Sequence, residues 1–182
     1  MKATKSLLIL PAILLFFACQ SHTKLDTKNS ADRTARVQDT LSTSWKDEGC
    51  SWLKTTIEKH FKMDDSSDDM KAITTASYYA YKVDATNVDL DLDSSLTNAE
   101  FHQKWKGKFD TKYAGIGTGF LISGQDYGNI TLSTCDFIRG NEQEATYKVL
   151  ISDCQYNTDY NREITLVKDQ QTFKIANVKE FN

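Results

Sequence analysis

The densest run of chemistry-bearing side chains is Asp89-Leu90-Asp91-Leu92-Asp93-Ser94-Ser95-Leu96-Thr97-Asn98-Ala99-Glu100. Its acids fall at positions 1, 3, 5 and 12 of a calcium-binding loop. Ser95 would offer its backbone carbonyl at position 7, and Leu96 is the apolar residue usual at position 8. Calcium takes about six to eight oxygens, and Asp89, Asp91, Asp93, Ser95 and Glu100 have the types and spacing to supply them. Two features depart from the pattern: Ser94 stands where the sharp turn wants glycine, and no second loop accompanies this one. The competing reading is an acidic loop running into a helix capped by Thr97 and Glu100, with Leu90 and Leu92 alternating as in an extended segment.

Other chemistry is thinly supported. His22, His60 and His102 are not tied by spacing to any cysteine, so no nucleophile–base pair emerges and a non-enzyme is expected. No Cys or His pair has zinc-ligand spacing. Gly115-x-Gly117-x-Gly119 precedes an apolar, strand-like run rather than a helix, so the helix-terminus logic of phosphate binding is missing. Asp126 and Tyr127 can line a pocket mouth or simply form an Asp-Tyr-Gly-Asn turn.

The elements that would position these groups change character along the chain. Leu53, Ile57 and Phe61 recur at helical spacing after Ser44, and the acidic run Asp64–Asp69 ends that helix as a solvated loop. A second helix is expected from Met70 to about Asn87, and a third from the Thr97/Glu100 capping box through Phe101, Trp105 and Phe109. Phe120–Ile122, Ile130–Ile138, Tyr147–Ser152, Ile164–Val167 and Phe173–Val178 then read as strands separated by turns. Helices first and consecutive strands afterwards predict α+β: about three helices packed on a curved antiparallel sheet of four to five strands. Apolar residues at 40% and charged residues at 26% suit one globular domain, over residues 44–182. The net charge of −3 and the lack of a basic cluster exclude the electrostatic footprint of a nucleic-acid binder.

The N-terminus carries a different signal. Lys2 and Lys5 precede the uncharged stretch Leu7–Ala18, too short to span a bilayer but the length of a secretory signal core. Phe16-Phe17-Ala18-Cys19 resembles a lipobox, with upstream phenylalanines similar to the looser lipoboxes of Bacteroidota lipoproteins. The resemblance implies cleavage of residues 1–18, lipidation of Cys19 and attachment to a membrane through its acyl chains. Gln20 in place of aspartate implies, by comparison with enterobacterial lipoproteins, the outer rather than the inner membrane. Residues 19–43 are polar and read as a flexible tether. Cys50, Cys135 and Cys154 then remain, an odd number in an oxidising compartment. Cys135–Cys154 would join neighbouring strands, although a turn near Glu142 sets Cys135 opposite Leu150, about four residues out of register.

The closing segment, Ile164 to Val178 with its Phe173-x-Ile175-x-x-Val178 strand, is similar to the last hairpin of cone-shaped domains like nuclear transport factor two. Gly119 to Tyr127 also resembles uncharacterised Bacteroidota lipoproteins with such a domain. The resemblance implies a pocket between helices and sheet. The resulting expectation is a membrane-anchored envelope lipoprotein whose domain binds a protein partner or a small ligand. A pocket-type enzyme, an immunity or inhibitor protein, and a calcium protein with an EF-hand-like loop at 89–100 are its rivals.

Overall fold

The computed structural model describes residues 45, 47–62, 66–90, 92–124 and 126–181. The signal stretch, Cys19, the polar leader, Ser44 and Asp91 lie outside the described residues.

Among the described residues, five helical segments precede four strands. These are α1 (residues 47–60), α2 (Ser66–Ile73), α3 (Ala76–Asn87), α4 (Asn98–Trp105) and α5 (Thr111–Ala114), then β1 (Ile130–Gly140), β2 (Glu144–Asp153), β3 (Thr158–Asp169) and β4 (Thr172–Phe181). The strands form one antiparallel sheet in chain order, and the helices pack with it. The fold is α+β, as the order of patterns predicts.

Period-two burial explains the sheet's inner face. Ala145, Tyr147, Val149 and Ile151 of β2 are buried beside Ile164 and Leu166 of β3. In β1 and β4 the alternation slips, because a strand that takes in one extra residue reverses its side-chain parity. Ser133 is the extra residue between Leu132 and Thr134, and Ala176 the one between Ile175 and Asn177. Ile175 and Val178 therefore both reach the core although three residues apart.

Helix α1 buries Leu53, Ile57 and His60. Its close approach to the sheet depends on Gly49, where a Cβ would stand 2.0 Å from the Tyr147 hydroxyl. That hydroxyl donates to the Trp45 carbonyl at 2.5 Å. Asp69, expected in a solvated loop, lies in α2 and bonds Nδ1 of His60 at 2.8 Å, joining α1 to α2.

Three sequence expectations need correction. The single helix over 70–87 is two helices, broken at Thr74-Thr75. Thr74 forms a parallel bridge with Ile175, the Thr75 N–H donates to the Ile175 carbonyl at 2.9 Å, and the Thr75 side chain caps α3. The run Ile73-Thr74-Thr75 is β-branched and gives up helix readily when a strand edge offers it bonds. Phe120–Ile122 is not a strand: Leu121 has φ +67°, and the Ile122 N–H donates to the Phe120 carbonyl at 2.8 Å across a three-residue turn. Finally, Cys135 bonds Cys50 of α1, not Cys154, which is free and exposed. The Ser133 bulge sets Cys135 opposite Val149, inward towards α1, while Cys154 sits past the end of β2 near Thr131. The five residue steps from Val149 to Cys154 span about 16 Å, more than twice the Cα separation a disulfide allows.

Candidate functional site

Helix α3 presents Tyr78 and Lys82 to the sheet one turn apart, as i and i+4 residues must lie on one face. Strands β3 and β4 present Arg162 and Glu180 from the same inward face, each two residues beyond a core aliphatic, Ile164 and Val178. Tyr78 is fully buried, Lys82 and Arg162 nearly so, and the Glu180 side chain is 6% exposed. Four polar groups thus meet at one end of the helix–sheet core.

A strap of residues 114–123 covers them. On the helix side, the Tyr81 hydroxyl donates to the Ala114 carbonyl at 2.7 Å, and the Gly117 N–H donates to the Ala85 carbonyl at 3.1 Å. The Lys82 ammonium donates to the Thr118 carbonyl at 2.9 Å and to its hydroxyl at 2.8 Å. On the sheet side, Arg162 Nε donates to the Leu121 carbonyl at 2.6 Å, and the Ser123 hydroxyl donates to Glu180 Oε2 at 2.9 Å. Gly119 makes the strap's tight return possible, since a Cβ there would stand 2.2 Å from the Ile122 carbonyl oxygen.

The electrostatics follow from burial. Arg162 pairs with Glu180 at 3.4 Å, so the two charges offset one another in a desolvated setting. Burial lowers the Lys82 amine from 10.5 to about 8, with Glu180 pulling back upward and Arg162 pushing down. Burial, and then the Glu180 charge, raise the Tyr78 phenol well above its ordinary value; the Val178 backbone works slightly the other way. The buried side-chain atoms without a hydrogen-bond partner among the described residues are Trp45 Nε1, Ser95 Oγ and, both in this cluster, the Tyr78 hydroxyl and Glu180 Oε1; the Val178 backbone lies near the phenol but outside hydrogen-bond geometry. Such orphans are rare in folded proteins, and two in one electrostatically coupled cluster distinguish this place from the rest of the core.

In the acidic loop, Glu100 is engaged in capping the helix that follows. Glu100 closes the capping box: its Oε2 accepts from the Thr97 N–H at 2.9 Å and from the Thr97 hydroxyl at 2.8 Å. Those two bonds hold its carboxyl below the usual glutamate range. Asp89 has φ +57°, and its N–H donates to the Leu96 carbonyl at 3.0 Å, closing the loop on itself. Asp93 is exposed and Ser95 half-buried, while Asp91 lies outside the described residues. Among the described residues, no group of three or more His, Cys, Asp or Glu gathers to hold a metal.

Asp126 is exposed, and Tyr127 packs edge-on against Phe61 with ring centroids 5.0 Å apart. The following loop is held by a residue with no sequence signature, Asp153. Its carboxylate accepts the N–H groups of Gly128 at 2.6 Å, Gln155 at 2.9 Å and Tyr156 at 3.1 Å. Burial works against that charge, but the three donors hold it below the usual range. Arg162 and Glu180 carried one overlooked signal: each stands at an inward position of an alternating strand.

Comparison with known families, with curated proteins and with solved structures finds no match to this chain.

Proposed function

We propose that the chain is an exported lipoprotein, anchored through Cys19 in the cell envelope, whose α+β domain is a binding module rather than an enzyme. Its ligand would be a small polar molecule taken beneath the 114–123 strap. The reading of export rests on Lys2, Lys5, Leu7–Ala18 and Cys19, and the Cys50–Cys135 bridge suits an oxidising compartment. The reading of binding is carried by one observation, the pair of unpartnered buried atoms at Tyr78 and Glu180. A ligand hydroxyl or amine that accepts from Tyr78 and donates to Glu180 Oε1 would satisfy both. Lys82 is already committed to Thr118 through two bonds, which favours a positioning part over proton transfer.

Growth with labelled palmitate tests the anchor: label should enter the chain and vanish with Cys19→Ser. Native mass spectrometry of the chain purified from the envelope tests the binding. A retained small molecule that is lost with Tyr78→Phe and Glu180→Gln supports the reading, whereas a ligand-free native chain counts against it.

A further inference from the structure

We infer that the face formed by α4, the turn at residues 106–110, α5 and the end of β4 docks on a membrane surface rich in phosphate headgroups. Residues 98–113 carry Lys104, Lys106, Lys108 and Lys112 against only Glu100 and Asp110, a local basic cluster that the net charge of −3 masks when the chain is read as a whole. The nearby acids are occupied. Glu100 caps α4, Asp110 accepts the Lys112 N–H at 3.2 Å, and Asp84 takes both the Trp105 Nε1–H and the Lys104 ammonium. Lys106, Lys108, Lys112 and Lys179 have no ion-pair partner among the described residues.

Two aromatic rings organise these cations. Lys104 and Lys108 lie 5.2 and 5.5 Å from the Trp105 ring, and Lys112 and Lys179 lie 5.4 and 5.2 Å from the Tyr113 ring. Tyr113 in turn rests on Phe181 at 5.0 Å. The ammonium groups themselves lie over the two rings, which fixes where these charges stand on the face. Between them lies an open cleft of about 520 Å³, lined by His102, Lys106, Lys108, Asp110 and Thr111 among others. Gly107, at φ +75°, puts no side chain in its way.

The chemistry favours a headgroup layer over an acidic protein. The cations are all lysines, hydrated point charges suited to a diffuse layer of phosphates rather than to bidentate pairing. The large exposed apolar side chains, Leu90, Leu92, Ile138 and Tyr156, belong to other segments, so the face lacks the apolar anchor of a protein hot spot. The inference rests on the anchor reading only for where such a surface is met.

The test uses the chain from position 19 onward with Cys19→Ser, which can carry no lipid and so separates this question from the anchor. It is sedimented with phosphatidylcholine vesicles, with and without about a third phosphatidylglycerol. Binding should be at least about tenfold tighter to the anionic vesicles and should weaken steeply with salt. Lys106→Gln/Lys108→Gln/Lys112→Gln should lose at least about tenfold of it. Lys54→Gln/Lys59→Gln/Lys71→Gln, which removes equal charge from α1 and α2, should stay within about twofold, both variants keeping the parent circular dichroism. No preference for anionic vesicles, equal loss in the two variants, or displacement by millimolar inorganic phosphate would each overturn the inference.

Discussion

Arg162 donates its Nε–H to the Leu121 carbonyl at 2.6 Å, and Leu121 stands at φ +67° as it offers that oxygen. A left-handed leucine costs on the order of 1 kcal/mol, so the strap keeps its shape only while something holds it there. The buried guanidinium supplies that hold and also answers the Glu180 charge.

Arg162→Met should therefore cost about 3–5 kcal/mol of unfolding free energy, because it leaves Glu180 buried without its cation. Adding Glu180→Gln should restore at least half of the loss. Urea titration of the two single variants and the double variant measures the coupling; strictly additive losses would show that the pair does not act as a unit.

Lys82 makes stability depend on pH in an unusual direction. Its amine falls from 10.5 to about 8 on folding, so between those values the unfolded chain holds a proton the folded chain has released. Stability from this group is thus gained as pH rises through that window and is absent below about pH 8, amounting to about 3 kcal/mol across it. Tyr78 and Tyr81, both raised on folding, act the other way above pH 10. Lys82→Met should remove the rising limb between pH 8 and 10; parallel denaturation curves for parent and variant would refute the assignment.

The Cys50–Cys135 bridge closes a loop of 85 residues. Cys50→Ser/Cys135→Ser should lose about 3–5 kcal/mol, as expected for a long loop opened in the unfolded chain. Alkylation without reductant, followed by mass spectrometry, should label Cys154 alone in the parent.

Thr97→Ala removes the hydroxyl that accepts from the Glu100 N–H, and should cost about 1 kcal/mol. Millimolar calcium should leave the melting temperature of both parent and variant unchanged, since Glu100 is already engaged in the cap. A calcium-dependent rise in the parent would return the 89–100 loop to a metal role.

What the sequence made legible was local. The Thr97/Glu100 box and the β3–β4 hairpin each depend on spacings of a few residues and stand as read, whereas the aromatic stripe is helical only at Phe101 and Trp105, since α4 ends before Phe109. What escaped depends on contacts between distant segments. Thr74-Thr75 leave the helix because Ile175, about a hundred residues away, offers backbone bonds. Cys135 finds Cys50 because one bulge residue, Ser133, turns it inward, and no alternation pattern announces a bulge. In the candidate site, Lys82 was hidden by the helical face it shares with Tyr78 and Ala85.

The bulges in β1 also bear on how the molecule meets copies of itself. β1 is an outer strand of the sheet, and an uninterrupted outer strand is a template for intermolecular pairing. Ser133 and Ile138 each break its hydrogen-bond rhythm, and the Leu132 N–H is already taken by Glu58 at 3.2 Å. β4, at the opposite edge, is covered at Lys174 and Ile175 by Ala72, Thr74 and Thr75. The irregularities that obscure the core pattern thus leave neither border of the sheet a clean ladder on which fibrils could grow.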